Sequence, residues 1–258
     1  MIQYIIYKLL HIFISNHNES KIVNLLFKNN KFLKNKNNLP IVIFDVGCFR
    51  GDWSRNILKA LKKKTSKQAM IYLFDVNPKS EIYLKSLIKN RNFKFNNIAL
   101  NEEKGVKEFN FNTFFECSGS SLDTVYKDDK AWVRSRKIFL RFFSFKKVKD
   151  FSKITVNTDT IDNYCSINNI SEIDILKIDV EGSEKRVLLG AEKTLKKVKI
   201  IYTEIAENKV FYSKKEKEII NFLNKNNFLF LEKKNIRNVS FFSNVIAKDN
   251  IFINKSFL

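Results

Sequence analysis

Two carboxylates in this chain stand at the ends of apolar runs, where acidic side chains can bind a ligand. Asp45 follows IVIF and is succeeded by Gly47 and Gly51, while Asp75 follows the next apolar run, MIYLF. A carboxylate in such a position can accept hydrogen bonds from an amine or from ribose hydroxyls, and glycine lets the backbone approach a ligand closely. The two acids therefore indicate a site for a nucleoside cofactor.

The turn after Asp45 distinguishes between classes of nucleoside. A dinucleotide-binding turn has the pattern G-x-G-x-x-G, whereas this turn, GCFRGD, lacks the middle glycine and places Asp52 at the start of the next helix. A carboxylate there repels a diphosphate, so the turn favours a cationic ligand such as S-adenosylmethionine. A strand-to-helix turn without a ligand remains the alternative.

The elements that must position these residues follow from hydrophobic periodicity. Continuous apolar runs predict strands at 41–44, 70–74, 93–100, 173–180 and 199–205. Amphipathic stretches predict helices at 53–64, after Asn77-Pro78 with a stripe of Ile82, Leu84, Leu87 and Ile88, and around 187–195. The segments NFLF and FFSNVIA indicate an antiparallel pair at one edge. This alternation predicts an open α/β sheet with right-handed crossovers.

Two regions stand outside this pattern. Residues 1–14 are apolar but too short to span a bilayer, and they predict a helix that either packs on the body or lies at a membrane surface. With a polar linker they make residues 1–39 an extension, and residues 40–258 form the main domain. Within that domain, a basic and aromatic insertion at about 113–153 is compatible with a wall over the site, a surface for an anionic glycan or nucleic acid, or a solvated helix pair.

Composition restricts the chemistry. The formal charge of +20 has two open explanations, an anionic partner or a coding bias toward lysine and asparagine. Cys48, Cys117 and Cys165 show no metal-binding spacing and fit a reducing cytoplasm, and the two histidines, His11 and His17, both precede the first predicted strand. A histidine general base, a catalytic triad or a zinc site is therefore not expected in the main domain, and acid or base chemistry falls to carboxylates, Lys or Tyr.

Several motifs in order, DVGCFRGDW, YLFDVNP, NNIAL, GSSL, NTDTID and LKIDVEGSEKRVLLGAEKTL, resemble the FkbM family of S-adenosylmethionine-dependent methyltransferases. KIDVEG followed by a helix with VL-x-GAE is the most specific part. The resemblance runs from about Ile41 to the end of the chain. It implies a Rossmann-like class I methyltransferase fold with a seven-stranded, mostly parallel sheet and an antiparallel edge. It also implies S-adenosylmethionine as cofactor and O-methyl transfer to a hydroxyl of a sugar, glycan or secondary metabolite.

The resemblance also assigns cofactor-binding residues. The turn would border the methionine end, Asp75 the ribose, and the 97–99 stretch the adenine, although the family more often has Glu and then Pro where this chain has DVNP. The complete set of candidates is Asp45, Gly47, Cys48, Gly51, Asp75, Val76, Asn97, Ile98, Ala99 and Asp179. Asp179, at the tip of the fourth predicted strand, would face the transferred methyl group.

Catalysis needs a group that removes a proton from a weakly acidic hydroxyl, because the sulfonium is already a strong electrophile. Lys177, Asp179 and Glu181 share one side of their strand, and with Glu204 they are the catalytic candidates. A divalent metal held by carboxylates is a second route. In the structural alternative, Glu181 complements the following helix and Lys177 only pairs with Asp179. Ser120, Ser121, Asp159 and Asp162 are weaker candidates, because Ser and Asp also occur in turns and caps.

Competing functions remain at this level. RNA ribose methylation is compatible with the charge, whereas methylation of base amino groups is not expected, since the two prolines stand singly. A nicotinamide oxidoreductase is disfavoured by the first turn, and a non-catalytic adaptor at a membrane surface is a third option. We expect a cytoplasmic enzyme whose acceptor is a sugar, glycan or small metabolite rather than nucleic acid. Peripheral contact with the inner membrane surface, through residues 1–14 and the insertion, stays an open alternative.

Overall fold

The computed structural model describes residues 18–28, 39–112, 120–122, 151–208, 214–238 and 245–258. The predictions for residues 1–14, for most of the linker and for most of the insertion lie outside these ranges. The helices are α1 (Asn18–Lys28), α2 (Asp52–Lys62), α3 (Ser80–Leu84), α4 (Ile161–Ile167), α5 (Glu184–Leu189) and α6 (Lys214–Lys225), with 3-10 turns at Thr194–Lys197 and Lys255–Phe257. The strands are β1 (Ile41–Val46), β2 (Ala69–Phe74), β3 (Phe93–Asn96), β4 (Ala99–Leu100), β5 (Gly105–Asn112), β6 (Phe151–Asp159), β7 (Ile173–Ile178), β8 (Val198–Asn208), β9 (Phe228–Asn238) and β10 (Val245–Asn254).

Seven strands form the main sheet in the order β3-β2-β1-β7-β8-β10-β9. Within this sheet the neighbours β3, β2, β1, β7 and β8 pair in parallel, and β10 runs antiparallel to both β8 and β9. This arrangement confirms the predicted Rossmann-like, mostly parallel sheet with an antiparallel pair at one edge. The strand order reverses between β1 and β7, and in open α/β sheets ligands bind beyond the carboxyl ends of the strands at such a point.

Apolar side chains cover both faces of the sheet. One core cluster lies under α1 and α2 and includes Ile22, Leu26, Ile57 and Leu61, each at most 1% exposed. The other cluster lies under α4, α5 and α6. Burial on both faces explains why the central strands are continuous apolar runs rather than alternating ones. No helix among the described residues combines the length and the apolar character needed to cross a membrane.

The predicted single strand at 93–100 is wrong. β3 ends at Asn96, and β4 joins a separate three-stranded sheet in the order β4-β6-β5. At the end of β3 the side chain of Asn96 donates to the carbonyl of Leu73 and accepts from the hydroxyl of Tyr164. Ala99 and Leu100 pair instead with Thr158 and Asp159 of β6, a partner that no local pattern in 93–100 indicates.

Two helix predictions also need correction. α3 ends at Leu84, and Leu84 and Leu87 are buried, but Ile82 is 59% and Ile88 38% exposed, so the predicted four-residue stripe does not form. Residues two apart cannot face the same side of a helix. The helix predicted around 187–195 ends at Leu189, because Asp162 binds the backbone groups that would continue it: its N–H donates to the carbonyl of Gly190, and its carboxylate accepts the N–H groups of Lys193 and Thr194.

Candidate active site

The glycine turn after β1 is built against the end of β7. Gly47 has φ +79° and Gly51 φ +72°, conformations that residues with a side chain rarely adopt. A Cβ at Gly47 would lie 1.9 Å from the backbone oxygen of Asp179, so any larger residue would displace one of the two segments. Gly51 ends the turn and donates its N–H to the carbonyl of Cys48 at 2.7 Å. The predicted cofactor turn and the predicted catalytic acid are therefore in direct contact.

Asp75 fixes the middle of this turn. Its Oδ2 accepts the backbone N–H of Phe49 at 2.7 Å, and its Oδ1 accepts that of Asn77 at 2.7 Å. Phe49 has φ +42°, a strained value for a bulky residue, and such strain occurs preferentially at functional sites. Burial raises the pKa of Asp75, and the two backbone donors oppose that rise. Each carboxylate oxygen can accept a further hydrogen bond, so this geometry is compatible with a ribose diol.

Asp45 is fully buried and is bound by protein groups. Ser54 donates its hydroxyl to Oδ2 at 2.6 Å, and the ammonium of Lys177 lies 2.9 Å from Oδ1. A buried carboxylate needs such partners to offset its desolvation. The structure thus gives Asp45 a role that the sequence did not reveal, which is to hold Lys177 in place.

Lys177 lies at the centre of the carboxyl edge. Its ammonium donates to the carbonyl of Gly47 at 2.9 Å and lies 2.9 Å from Asp45 and 3.3 Å from Oδ2 of Asp179. Burial alone would lower the pKa of Lys177, but the two carboxylates outweigh it and raise the pKa above its ordinary value. Lys177 is therefore a cation that joins the glycine turn to Asp179. Its ion pair with Asp179 is the one expected if Lys177 has a structural role.

Asp179 remains accessible. Its side chain is 33% exposed while that of Lys177 is 5% exposed, so the carboxylate reaches from a buried cation to the surface. Two residues later, Glu181 has φ +55° and is half-buried. The loop that carries both acids therefore contains a second strained position beside the site.

Strand register places Glu204 beside this acid. Ile178 pairs with Thr203, so the next positions, Asp179 and Glu204, are level at the edge of the sheet. Glu204 in turn pairs with Asp249 of β10. Sequence reasoning missed Asp249, which is 4% exposed, because the antiparallel register between β8 and β10 has no local signal.

An aromatic pair lines the same face of the sheet. The rings of Trp53 and Tyr202 stack with centroids 6.2 Å apart and planes 4° from parallel. The ammonium of Lys177 lies 6.0 Å from the centre of the Trp53 ring, at the limit of a cation–π contact. Trp53 was predicted only as part of the apolar side of its helix, so its place next to the charged cluster is a result of the fold.

Val76 and the residues predicted to lie beside the adenine, 97–99, do not share one environment. Val76 is buried with Phe109 of β5 and Val156 of β6, and Ala99 packs against them. Asn97 is exposed and Ile98 is half-buried in the neighbouring core cluster. The positions of these residues do not show where an adenine would bind, so the assignment of residues 97–99 to the adenine stays a prediction.

Cys48 is also buried within the turn. Burial, followed by the nearby carboxylates of Asp75 and Asp45, raises the pKa of the Cys48 thiol well above its ordinary value. The thiol is therefore neutral, and it contributes packing rather than a nucleophile.

The weaker candidates divide into two groups. Asp159 accepts the Nδ2 of Asn163 at 2.8 Å, and Asp162 accepts the backbone N–H of Thr194 at 2.8 Å, so both are capping residues. Ser121, in contrast, donates its hydroxyl to the carbonyl of Val180 at 2.9 Å. Among the residues that the structure describes, no group of three or more His, Cys, Asp and Glu side chains is arranged to hold a metal ion.

A family model described as the methyltransferase FkbM domain matches residues 45–230. The chain belongs to the FkbM methyltransferase family. A relative in Sinorhizobium fredii (strain NBRC 101917 / NGR234), 2-O-methyltransferase NoeI, is 26% identical over 66% of this chain, and the chain spans 65% of the length of that relative.

Solved structures of methyltransferases are more distant from this FkbM chain. The methyltransferase FkbM from Methylobacillus flagellatus KT has a TM-score of 0.46 and 11% identity, with 86% of this chain and 48% of that chain covered. The magnesium protoporphyrin IX methyltransferase ChlM from Synechocystis PCC 6803, solved with bound SAM, has a TM-score of 0.43 and 10% identity over 92% of this chain and 80% of that chain. Because both TM-scores are below 0.5, these structures are not used to assign roles to residues of the site.

Proposed function

We propose that this FkbM chain is an S-adenosylmethionine-dependent methyltransferase that methylates a hydroxyl of a sugar, glycan or secondary metabolite. Its family and the named 2-O-methyltransferase relative support O-methyl transfer. The observation that carries the proposal is the contact between Gly47 and the backbone of Asp179, which brings the cofactor turn next to an accessible carboxylate.

The residues present fit the proposed cofactor. The turn needs glycine at both positions, because a Cβ would meet the backbone of Asp179 at Gly47 and the side chains of Leu84 and Leu87 at Gly51. Asp75 binds the same turn at the N–H of Phe49. These residues would hold the methionine end and the ribose. When bound, S-adenosylmethionine supplies an activated methyl group on a sulfonium centre.

The proposed work of the protein is orientation and proton removal. Asp179 accepts a hydrogen bond from the acceptor hydroxyl and takes its proton as the oxygen is methylated. Lys177 keeps the carboxylate aimed at the cleft through the 3.3 Å ion pair, and Asp45 keeps Lys177 in position. Glu204, level with Asp179 on the next strand, offers a second acceptor for hydroxyls of the substrate. The stacked Trp53 and Tyr202 rings pack in the core cluster beside Lys177 and support it from below.

Cofactor binding is tested by titrating the protein with S-adenosylhomocysteine, NADH and anionic vesicles in separate experiments. We expect S-adenosylhomocysteine to bind and NADH not to bind. Asp75→Asn should weaken S-adenosylhomocysteine binding about ten-fold, because one amide cannot reproduce a carboxylate that accepts from the Phe49 N–H and from ribose together. Asp174→Asn is the matched control, since Asp174 also accepts a backbone N–H, that of Val42 at 2.7 Å, but at the amino ends of the strands.

The remaining outcomes discriminate between the functions. Binding of NADH in preference to S-adenosylhomocysteine would replace the proposal by an oxidoreductase, and vesicle binding without nucleoside binding would favour a membrane-surface adaptor. Vesicle binding in addition to nucleoside binding would support an enzyme that works at a membrane surface, as the charge of +20 suggests. The acceptor class is tested by incubation with labelled cofactor and either a glycan extract or RNA, followed by mass spectrometry of the methylated product.

A further inference from the structure

The loop from Asp179 to Ser183, which connects β7 to α5, is held by side chains from two distant parts of the chain. It carries the proposed base at its first position and Glu181, with φ +55°, at its centre. The carbonyls on both sides of Glu181, those of Val180 and Gly182, each accept a side-chain donor from outside the loop. This pattern fixes the strained residue from both sides.

The first donor belongs to the segment between β5 and β6. Ser121 is 2% exposed, donates its hydroxyl to Val180 at 2.9 Å and lies 3.3 Å from the hydroxyl of Ser183. Its own backbone is fixed by two hydrogen bonds with Asn110 of β5, at 2.9 and 3.1 Å. The hydroxyl is therefore held by the smaller sheet and does not depend on the loop for its position.

The second donor belongs to α6. Lys215 donates its ammonium to the carbonyl of Gly182. Glu184, which is fully buried, accepts the N–H of the same glycine at 2.7 Å, and its other oxygen lies 3.7 Å from the Lys215 ammonium. Gly182 is thus bound at both of its backbone groups by one ion pair.

We propose that Ser121 and Lys215 are positioning residues that clamp the loop between β7 and α5 and so hold Asp179 in the geometry for proton removal. The inference rests on the proposed function, because it assigns these residues a role through Asp179. The bonds described above hold the loop and not the cofactor turn, so the clamp acts on the acid and not on cofactor binding. Gly47 and Lys177 support Asp179 from the β1 side, and the clamp supports the loop beyond it.

The test compares Ser121→Ala and Lys215→Met in the wild type and in an Asp179→Asn background, with kcat and S-adenosylhomocysteine affinity measured for each. We expect each variant to lower kcat about ten-fold, because a displacement of about 1 Å is enough for such losses, and to change the affinity less than two-fold. In the Asp179→Asn background the same substitutions should lower kcat less than two-fold, since residues that act as a unit are not additive. Lys215→Arg, which keeps the donor, should restore most of the rate.

Matched controls are Lys214→Met, next to Lys215 in α6, and Ser152→Ala, in β6 of the smaller sheet, and both should keep wild-type kcat. An equal loss of kcat with and without Asp179 would overturn the clamp, as would a loss of S-adenosylhomocysteine affinity that parallels the loss of rate. If Lys215→Met does not fold, Ser121→Ala carries the same test. Failure of the proposed function is distinguishable, because it would appear as full kcat in Asp179→Asn or as absence of methyl transfer in the wild type.

Discussion

Two clusters in the main sheet each consist of a buried lysine and two acidic side chains. They lie at opposite ends of the strands, one at the carboxyl edge and one at the amino edge of the sheet. At the carboxyl edge, Lys177 lies 2.9 Å from the buried Asp45 and 3.3 Å from the partly exposed Asp179. At the amino edge, Lys199 lies 2.7 Å from the buried Asp174 and 3.4 Å from the partly exposed Glu172. A buried lysine with two acids is therefore not by itself a sign of catalysis.

The surroundings of the two clusters are different. Asp174 also accepts the N–H of Val42, so the amino-edge cluster joins the starts of three neighbouring strands. Lys177 instead donates to the carbonyl of Gly47, within the turn predicted to bind the cofactor. The same ion-pair chemistry joins the strand starts at one edge and supports this turn at the other, the carboxyl edge, beyond which open α/β sheets bind their ligands.

The largest difference between the two clusters is expected when the partly exposed acid of each is changed. Asp179→Asn should lower kcat at least about one hundred-fold, the usual contribution of a general base, and leave S-adenosylhomocysteine affinity within two-fold. Glu172→Gln, the equivalent change at the other edge, should leave kcat unchanged. Single-turnover kinetics with saturating cofactor measure both. Equal rates in the two variants would remove Asp179 from the mechanism and make the clusters equivalent.

The two lysines should separate stability from activity. Lys177→Met and Lys199→Met each leave a buried aspartate without its cation, so each should lower the free energy of unfolding by about 3–5 kcal/mol. Per folded molecule, only Lys177→Met should lose activity, about ten-fold, because only Lys177 contacts Asp179 and the turn. Urea denaturation and assays below both melting temperatures give the two quantities. Loss of activity in folded Lys199→Met would show that the amino edge also controls the site.

The smallest expected effect concerns pH. The pKa of Lys177 is raised above its ordinary value of 10.5, so its stabilising contribution is fully present below that pH and is lost only as the pH rises through the folded pKa. The difference in unfolding free energy between wild type and Lys177→Met should therefore be constant from about pH 7 to about pH 9. Denaturation curves at several pH values measure it. A difference that shrinks within this range would mean that desolvation, and not the two carboxylates, dominates at Lys177.

Much of the fold could be predicted from the sequence, because the signals are local. The continuous apolar runs of β1, β2 and β7 report burial on both faces, and Ile57 and Leu61 report the inner side of α2. The errors came where tertiary context overrode the pattern. Leu100 joined a second sheet, and the helix after Ser183 ended early because Asp162, on another helix, binds the backbone that would continue it.

The sequence by itself determined which residue types stand at the strand ends: an acid and two glycines after β1, an acid after β2, and a lysine and an acid at the end of β7. Only the tertiary structure decided what each one contacts. It buried Asp45 against Lys177, used Asp75 to hold the backbone of Phe49, and left Asp179 accessible. Strand ends far apart in sequence meet at one edge only after the sheet forms, and hydrogen-bond partners and burial depend on that meeting rather than on local spacing.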